Sequence, residues 1–89
     1  MNVIISVIGK DRVGIIRDVS TFLADLSINI IDISQTLMGE YFTMIMRANT
    51  EKSSMPIDKL IVALREKGES VGLDINLRSE DIFNAMHRI

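Results

Sequence analysis

The hydrophobic positions change period along the chain, and each change marks an element. Val3 to Ile8 reads VIISVI, apolar on both faces and rich in β-branched residues. That is the pattern of a central strand, here ending at Gly9. Ile15, Val19, Phe22 and Leu26 then recur at helical spacing. Ile16 and Leu23 widen the stripe, and Arg17, Asp18, Thr21 and Asp25 lie off it. The spacing predicts an amphipathic helix from about Val13 to Leu26, packed by one side on a sheet. After Ser27-Ile28-Asn29 the period falls to two. From about Ile30 to Met38, Ile31, Ile33 and Leu37 alternate with Asp32, Ser34 and Thr36, and Gln35 interrupts the apolar face. Such alternation suits an edge strand or one with a wet face.

Gly39-Glu40 predicts a two-residue type II′ hairpin. The third strand follows from Tyr41 to about Ala48. Phe42, Met44, Met46 and Ala48 lie on one face, and Tyr41, Thr43, Ile45 and Arg47 on the other. A polar loop leads to Pro56, which is tolerated in the first turn of a second helix. Ile57, Leu60, Ile61 and Leu64 form that helix's buried stripe, and Gly68 reads as its stop. Val71, Leu73, Ile75 and Leu77 point inward from a fourth strand, with Gly72, Asp74, Asn76 and Arg78 outward. Ser79 to Ile89 predicts a third helix, with Ser79 as N-cap, Glu80 and Asp81 in the first turn, and His87 and Arg88 at the end, where cations complement the dipole. Its apolar positions Ile82, Phe83, Met86 and Ile89 are expected to pack on this domain or on a neighbour.

The order βαββαβ, with right-handed crossovers, predicts an α+β fold: a ferredoxin-like antiparallel sheet with two helices on one face, plus the C-terminal helix. Residues 1–89 read as a single domain with 79–89 as a helical extension. Asp32, Ser34, Asp74 and Asn76 are candidates for the open face. Ile4, Ile8 and Ile45 lie either there or on the helix side, because the doubly apolar first strand leaves its parity open.

Composition narrows the function. The chain has 89 residues, no cysteine, no tryptophan and a net charge of −2, so its small core is built from Ile, Leu, Val and Met. No basic block offers a face to duplex nucleic acid, and two strand aromatics without basic charge do not make an RNA-stacking sheet. No disulfide, thiolate metal site or cysteine nucleophile is possible. No signal peptide is evident and no apolar run spans a bilayer, so a cytoplasmic protein without membrane contact is expected. A domain of this size often gains from oligomerisation. The edge strand from Ile30 to Met38 carries neither proline nor lysine to protect it, and a homodimer or higher homo-oligomer is expected.

The chemistry concentrates between the first strand and the first helix, in Gly9-Lys10-Asp11-Arg12-Val13-Gly14. Free N–H groups at a helix start attract anions. Two readings of this turn stand side by side: a small-molecule site, or a tight turn in which Asp11 caps the helix. Gly9 and Gly14 have P-loop spacing, but Ile15-Ile16 stands where Lys-Ser/Thr is required. Asp11, Asp18, Asp25 and Asp32 lie on different elements and form no metal loop. His87 is the only histidine and reads as a helix-end charge. No catalytic residue, metal site or cofactor motif emerges, and the chain reads as a non-enzyme. An acylphosphatase-like hydrolase, through Val7, Gly9, Gly14 and Arg17, is an alternative of the same size and topology. A ligand-free assembly module is another.

Asp11-Arg12-Val13-Gly14-Ile15, followed by Ile28-Asn29-Ile30, resembles the ACT domain signature. Asp32-Ile33-Ser34-Gln35-Thr36 with Glu40-Tyr41-Phe42-Thr43-Met44 resembles, more narrowly, the stand-alone ACT proteins of an uncharacterised bacterial and archaeal family. That family is related to the ACT halves of the glycine cleavage system's transcriptional repressor. The resemblance runs through Ile82-Phe83-Asn84-Ala85-Met86. It implies a regulatory module that binds an amino acid or similar metabolite through Gly9, Lys10, Asp11, Arg12, Val13, Gly14 and Asn29. In the serine-binding ACT domain of phosphoglycerate dehydrogenase, effector contacts come from this loop and from an Asn across a dimer interface. Asn29 matches that Asn. Asp11 stands where that domain has a loop Asn, Gly9 where it has a contacting His, and Val13 where Pro is common. Asp11 and loop carbonyls would accept from an ammonium, while Asn29 and N–H groups near Gly14 would donate to a carboxylate. The alternative for Asn29 is a turn residue.

Overall fold

The computed structural model describes residues 1–86; the expectations for His87, Arg88 and Ile89 lie outside the described residues. The elements are β1 (Asn2–Lys10), α1 (Ile15–Asp25), β2 (Asn29–Met38), β3 (Tyr41–Asn49), α2 (Ile57–Ser70), β4 (Leu73–Ser79) and α3 (Glu80–Met86). The strands form one sheet in the order β2-β3-β1-β4, every neighbouring pair antiparallel. This is the expected ferredoxin-like βαββαβ arrangement with a C-terminal helix. No helix among the described residues is long and apolar enough to cross a membrane.

The doubly apolar β1 lies inside the sheet, as its composition required. Its parity is now settled. Val3, Ile5 and Val7 are fully buried toward the helices, while Ile4 and Ile8 share the open face with Ile45 of β3. Phe42, Met44, Met46 and Ala48 of β3 and Leu73, Ile75 and Leu77 of β4 complete the sheet's half of the core. α1 contributes Ile15, Val19 and Leu23 at four-residue spacing, and α2 contributes Leu60 and Leu64. Phe22, Leu26, Ile57 and Ile61 pack at the margin. Ile16, which widened the sequence stripe, stays 44% exposed, so the buried arc of α1 is narrower than the apolar one.

Several boundaries moved for identifiable reasons. Gly9 does not end β1: it pairs with Phe42 and Leu73, and the strand runs on through Lys10. A Cβ at Gly9 would stand 2.6 Å from Leu73 Cδ2 and 3.3 Å from the Gly72 carbonyl oxygen, so this glycine serves the close approach of β4 rather than a turn. α1 starts at Ile15 after Gly14, which takes the left-handed conformation (φ 91°) as N-cap. Gly68 does not stop α2. It lies buried within the helix, against Ile75 and the Leu73 carbonyl of β4, and the chain leaves the helix two residues later through Val71 and Gly72 (φ 77°). Gly39 has φ 61° while Glu40 is not among the positive-φ residues, in keeping with the type II′ hairpin.

α3 is capped as expected, with the Ile82 N–H donating to Ser79 Oγ at 3.2 Å. Arg47 Nε of β3 donates to Glu80 Oε1 at 2.8 Å and ties the start of α3 to the open side of the sheet. None of the described residues of α3 is buried. Ile82 and Met86 are each 57% exposed, so this chain alone covers the tail only in part.

Candidate functional site

The loop from Lys10 to Gly14 closes one end of the sheet, and backbone geometry fixes it there. The Asp11 N–H donates to the Glu40 carbonyl at 2.7 Å, which ties the loop to the β2–β3 hairpin. Arg12 fastens its other side. One guanidinium nitrogen, Nη2, donates to Asp18 Oδ2 at 3.0 Å and to the Val71 carbonyl at 3.1 Å, and Nη1 donates to the Val13 carbonyl at 3.2 Å. This clamp joins the loop to the first turn of α1 and to the end of α2. Arg12 is therefore committed to the protein's own groups. Val13 sits at the tip, 97% exposed. Lys10 is on the rim, its Nζ 3.9 Å from Glu40 Oε2 with both side chains mostly in solvent.

Asp11 does not cap α1. No side chain caps that helix, and the first helical bond runs from the Asp18 N–H to the Gly14 carbonyl at 3.0 Å. Among the described residues the Asp11 carboxylate has no hydrogen-bond or ion-pair partner. Instead it borders a groove of about 390 Å³ between the loop and β2, lined by Asp11, Gln35, Thr36, Leu37 and Phe42. That volume is at the small end of the usual range for ligand clefts. Gly9, Gly14 and the first turn of α1 are not among its lining.

The groove exists because the helices do not reach across β2. A bulge between Ile30 and Asp32 shifts the register, so Ile33, Gln35 and Leu37 fall opposite the buried Met46, Met44 and Phe42, on the helix side. The inward residues Phe42, Met44, Met46 and Ala48 of β3 are buried, whereas every residue of β2 except Ile30 is exposed. Gln35, Thr36, Leu37 and Phe42 were not among the residues expected at the site. Their signal was present in the one polar residue, Gln35, that breaks the apolar face of the second strand.

Asn29 lies at the far end of the sheet. It pairs with Asn49, which pairs with Asn2, whereas Lys10 pairs with Tyr41 beside Met38. The length of β1 separates these rows, about 27 Å at strand rise. Within one chain, Asp11 and Asn29 are not brought together. The described residues contain no cluster of three or more metal-ligating side chains.

Comparison with known proteins agrees with this architecture. The family model for the ACT domain matches residues 2–78. A UPF0237 protein of Clostridium acetobutylicum is 53% identical over 89 residues, covering 100% of both chains. Among solved structures, an ACT domain protein from Streptococcus pneumoniae superposes with a TM-score of 0.84 at 39% identity, covering 98% of each chain. A chain assigned as a glycine cleavage system transcriptional repressor superposes with a TM-score of 0.71 at 26% identity, covering 86% of this chain and 44% of that one. A βαββαβ sheet with this loop, and matches of this length and identity, lead to one conclusion: the chain belongs to the ACT domain family, in the UPF0237 group.

Proposed function

We propose that this protein is a non-enzymatic, cytoplasmic regulatory module whose groove beside Asp11 binds an amino acid or a similar small metabolite. The observation that carries the reading is a carboxylate unpaired among the described residues, at the mouth of a groove lined otherwise by polar Gln35 and Thr36 and apolar Leu37 and Phe42. A zwitterion matches that set. Its ammonium meets the Asp11 carboxylate, its carboxylate meets the Gln35 amide, and its side chain lies against Leu37 and Phe42. Gly14 shapes the loop, Gly9 lies in β1 at its base, Arg12 holds it, and Lys10 and Val13 form its rim. The similarity to a chain assigned as a transcriptional repressor supports a regulatory role.

Asn29 enters through a second copy. β2 is an edge with unpaired backbone groups on its outer side, and such an edge favours addition of another strand. Antiparallel pairing of β2 with its own copy, centred between Ile33 and Ser34, sets Asn29 of one copy opposite Met38 of the other. Met38 adjoins Leu37 of the groove. In this arrangement Asn29 of the second copy lies at the β2 side of the groove and Asp11 at its loop side.

Isothermal titration with a panel of amino acids at millimolar concentration tests the proposal. Asn29→Ala should weaken the bound ligand by about 1.5–3 kcal/mol, the scale of hydrogen bonds to charged groups, with stability retained. Binding of no amino acid, or affinity unchanged in Asn29→Ala, would refute the site and favour a ligand-free assembly module.

A further inference from the structure

We infer that the groove beside Asp11 prefers a ligand whose ammonium stands next to a neutral carbonyl, as in an amino acid amide, over a free amino acid, whose ammonium stands next to a carboxylate. This preference rests on the reading of the groove as a small-molecule site, and it narrows the class of ligand.

The charges around the groove carry it. Of the lining residues Asp11, Gln35, Thr36, Leu37 and Phe42, only Asp11 is charged, and it is an anion. The cations nearest to it in the chain are engaged elsewhere, and none of them lines the groove. Arg12 spends Nη2 on Asp18 Oδ2 and the Val71 carbonyl, and Nη1 on the Val13 carbonyl. Arg17 lies on α1, its Nη2 3.4 Å from Asp18 Oδ1. Lys10 stands on the rim with Glu40, and that pair brings no net charge. Asn29 of a second copy, in the arrangement proposed above, adds an amide and again no charge.

An ammonium entering the groove gains a full counter-charge from the Asp11 carboxylate. A carboxylate attached one carbon away gains none. It gives up hydrating water, meets no cation, and feels the repulsion of Asp11 itself. Gln35 does not make up the loss. Its amide nitrogen donates to one carboxylate oxygen, but its own oxygen accepts only, and a carboxylate has no proton to give it. A carboxamide satisfies both ends of Gln35: its carbonyl accepts from Nε2 and its NH2 group donates to Oε1. The ligand's side chain meets Leu37 and Phe42, which are paired across the hairpin, so an apolar side chain completes the class.

Isothermal titration of the full chain with L-leucine and L-leucinamide, and with L-methionine and L-methioninamide, tests the preference. At about pH 6.5, below the ~7.7–8.0 range of an α-amino group, both members of each pair carry the ammonium. The amide should bind about fivefold or more tightly than its acid, the scale of one unfavourable charge contact near a protein surface. Asp11→Asn keeps the size of the side chain and the backbone bond to Glu40 while removing the charge. It should weaken the amide by about fivefold or more and bring amide and acid to within about twofold of each other, because the acid loses an attraction and a repulsion together. A merely distorted loop would weaken both alike and leave their ratio unchanged. An acid that binds as tightly as its amide, or more tightly, overturns the preference while the amino acid site itself stands. Persistence of the preference in Asp11→Asn overturns it too, since the charge would then not be its source. If neither member of either pair binds at about 10 mM, weaker than the weak end of specific binding, the preference falls, and the wider amino acid panel decides separately whether the groove is a site for another ligand.

Discussion

Alanine in place of glycine in a solvent-exposed helix is stabilising by about 1 kcal/mol. At Gly68, in the last third of α2, the opposite sign is expected. An alanine Cβ there would stand 2.7 Å from Ile75 Cγ1 and 2.8 Å from the Leu73 carbonyl oxygen, with Ile75 Cδ1 at 3.0 Å. The isoleucine can rotate. The carbonyl cannot, because Leu73 belongs to the backbone of β4, which is paired with β1. The helix must therefore lift from the sheet by several tenths of an ångström, in a region where Leu60 and Leu64 of the same helix are fully buried. Overpacking of this kind costs about 1–3 kcal/mol. A backbone oxygen at 2.8 Å that cannot rotate away puts the cost in the upper part of that range, about 2–3 kcal/mol, and the helix-propensity gain of about 1 kcal/mol leaves a net loss for Gly68→Ala of about 1–2 kcal/mol. For a domain of this size that lowers the melting temperature by roughly 4–16 °C. Urea denaturation followed by circular dichroism, at one fixed protein concentration, should show a lower midpoint with an unchanged slope. Glu66→Ala, on the exposed face of the same helix, is the control and should hold or raise the midpoint. A Gly68→Ala protein as stable as the wild type would refute the close approach of α2 to β4.

Three further outcomes follow from the same contacts. Asp11→Ala should leave unfolding stability within about 0.5 kcal/mol, as for an exposed residue outside any cap, while weakening ligand binding; a stability loss of about 1 kcal/mol in denaturant titrations would mean that the carboxylate caps α1 after all. Arg12→Ala removes bonds to Asp18, Val13 and Val71 and should cost about 0.5–1.5 kcal/mol, discounted for its partial exposure; hydrogen exchange at the loop amides should rise with it. Ile82→Gln with Met86→Gln should leave the melting temperature of the dilute protein nearly unchanged, because both side chains already face solvent; a large drop would place them against their own domain.

Local periodicity carried the element order, because strand and helix periods are properties of neighbouring residues. The alternation in Leu73 to Leu77 named the buried face of β4, since that strand has one apolar side, and the alternation in Phe42 to Ala48 separated the two faces of β3, of which packing buried the one with Phe42, Met44, Met46 and Ala48. β1 is apolar on both sides, so its parity had no local signature, and only packing against α1 and α2 chose Val3, Ile5 and Val7 for the core. Gly68 carried the composition of a helix stop, yet its role is decided by β4, which touches it from outside the helix. The loop containing Asp11 was legible as a place for chemistry, because glycines and charges cluster there in sequence. Its groove was not, because Gln35 and Leu37 reach it only through the hairpin and the bulge that turn them to the helix side. Asn29 shows the same limit from the other direction. It is one helix away from Asp11 along the chain, and α1 carries it to the opposite end of the sheet, so nearness in sequence becomes separation in space.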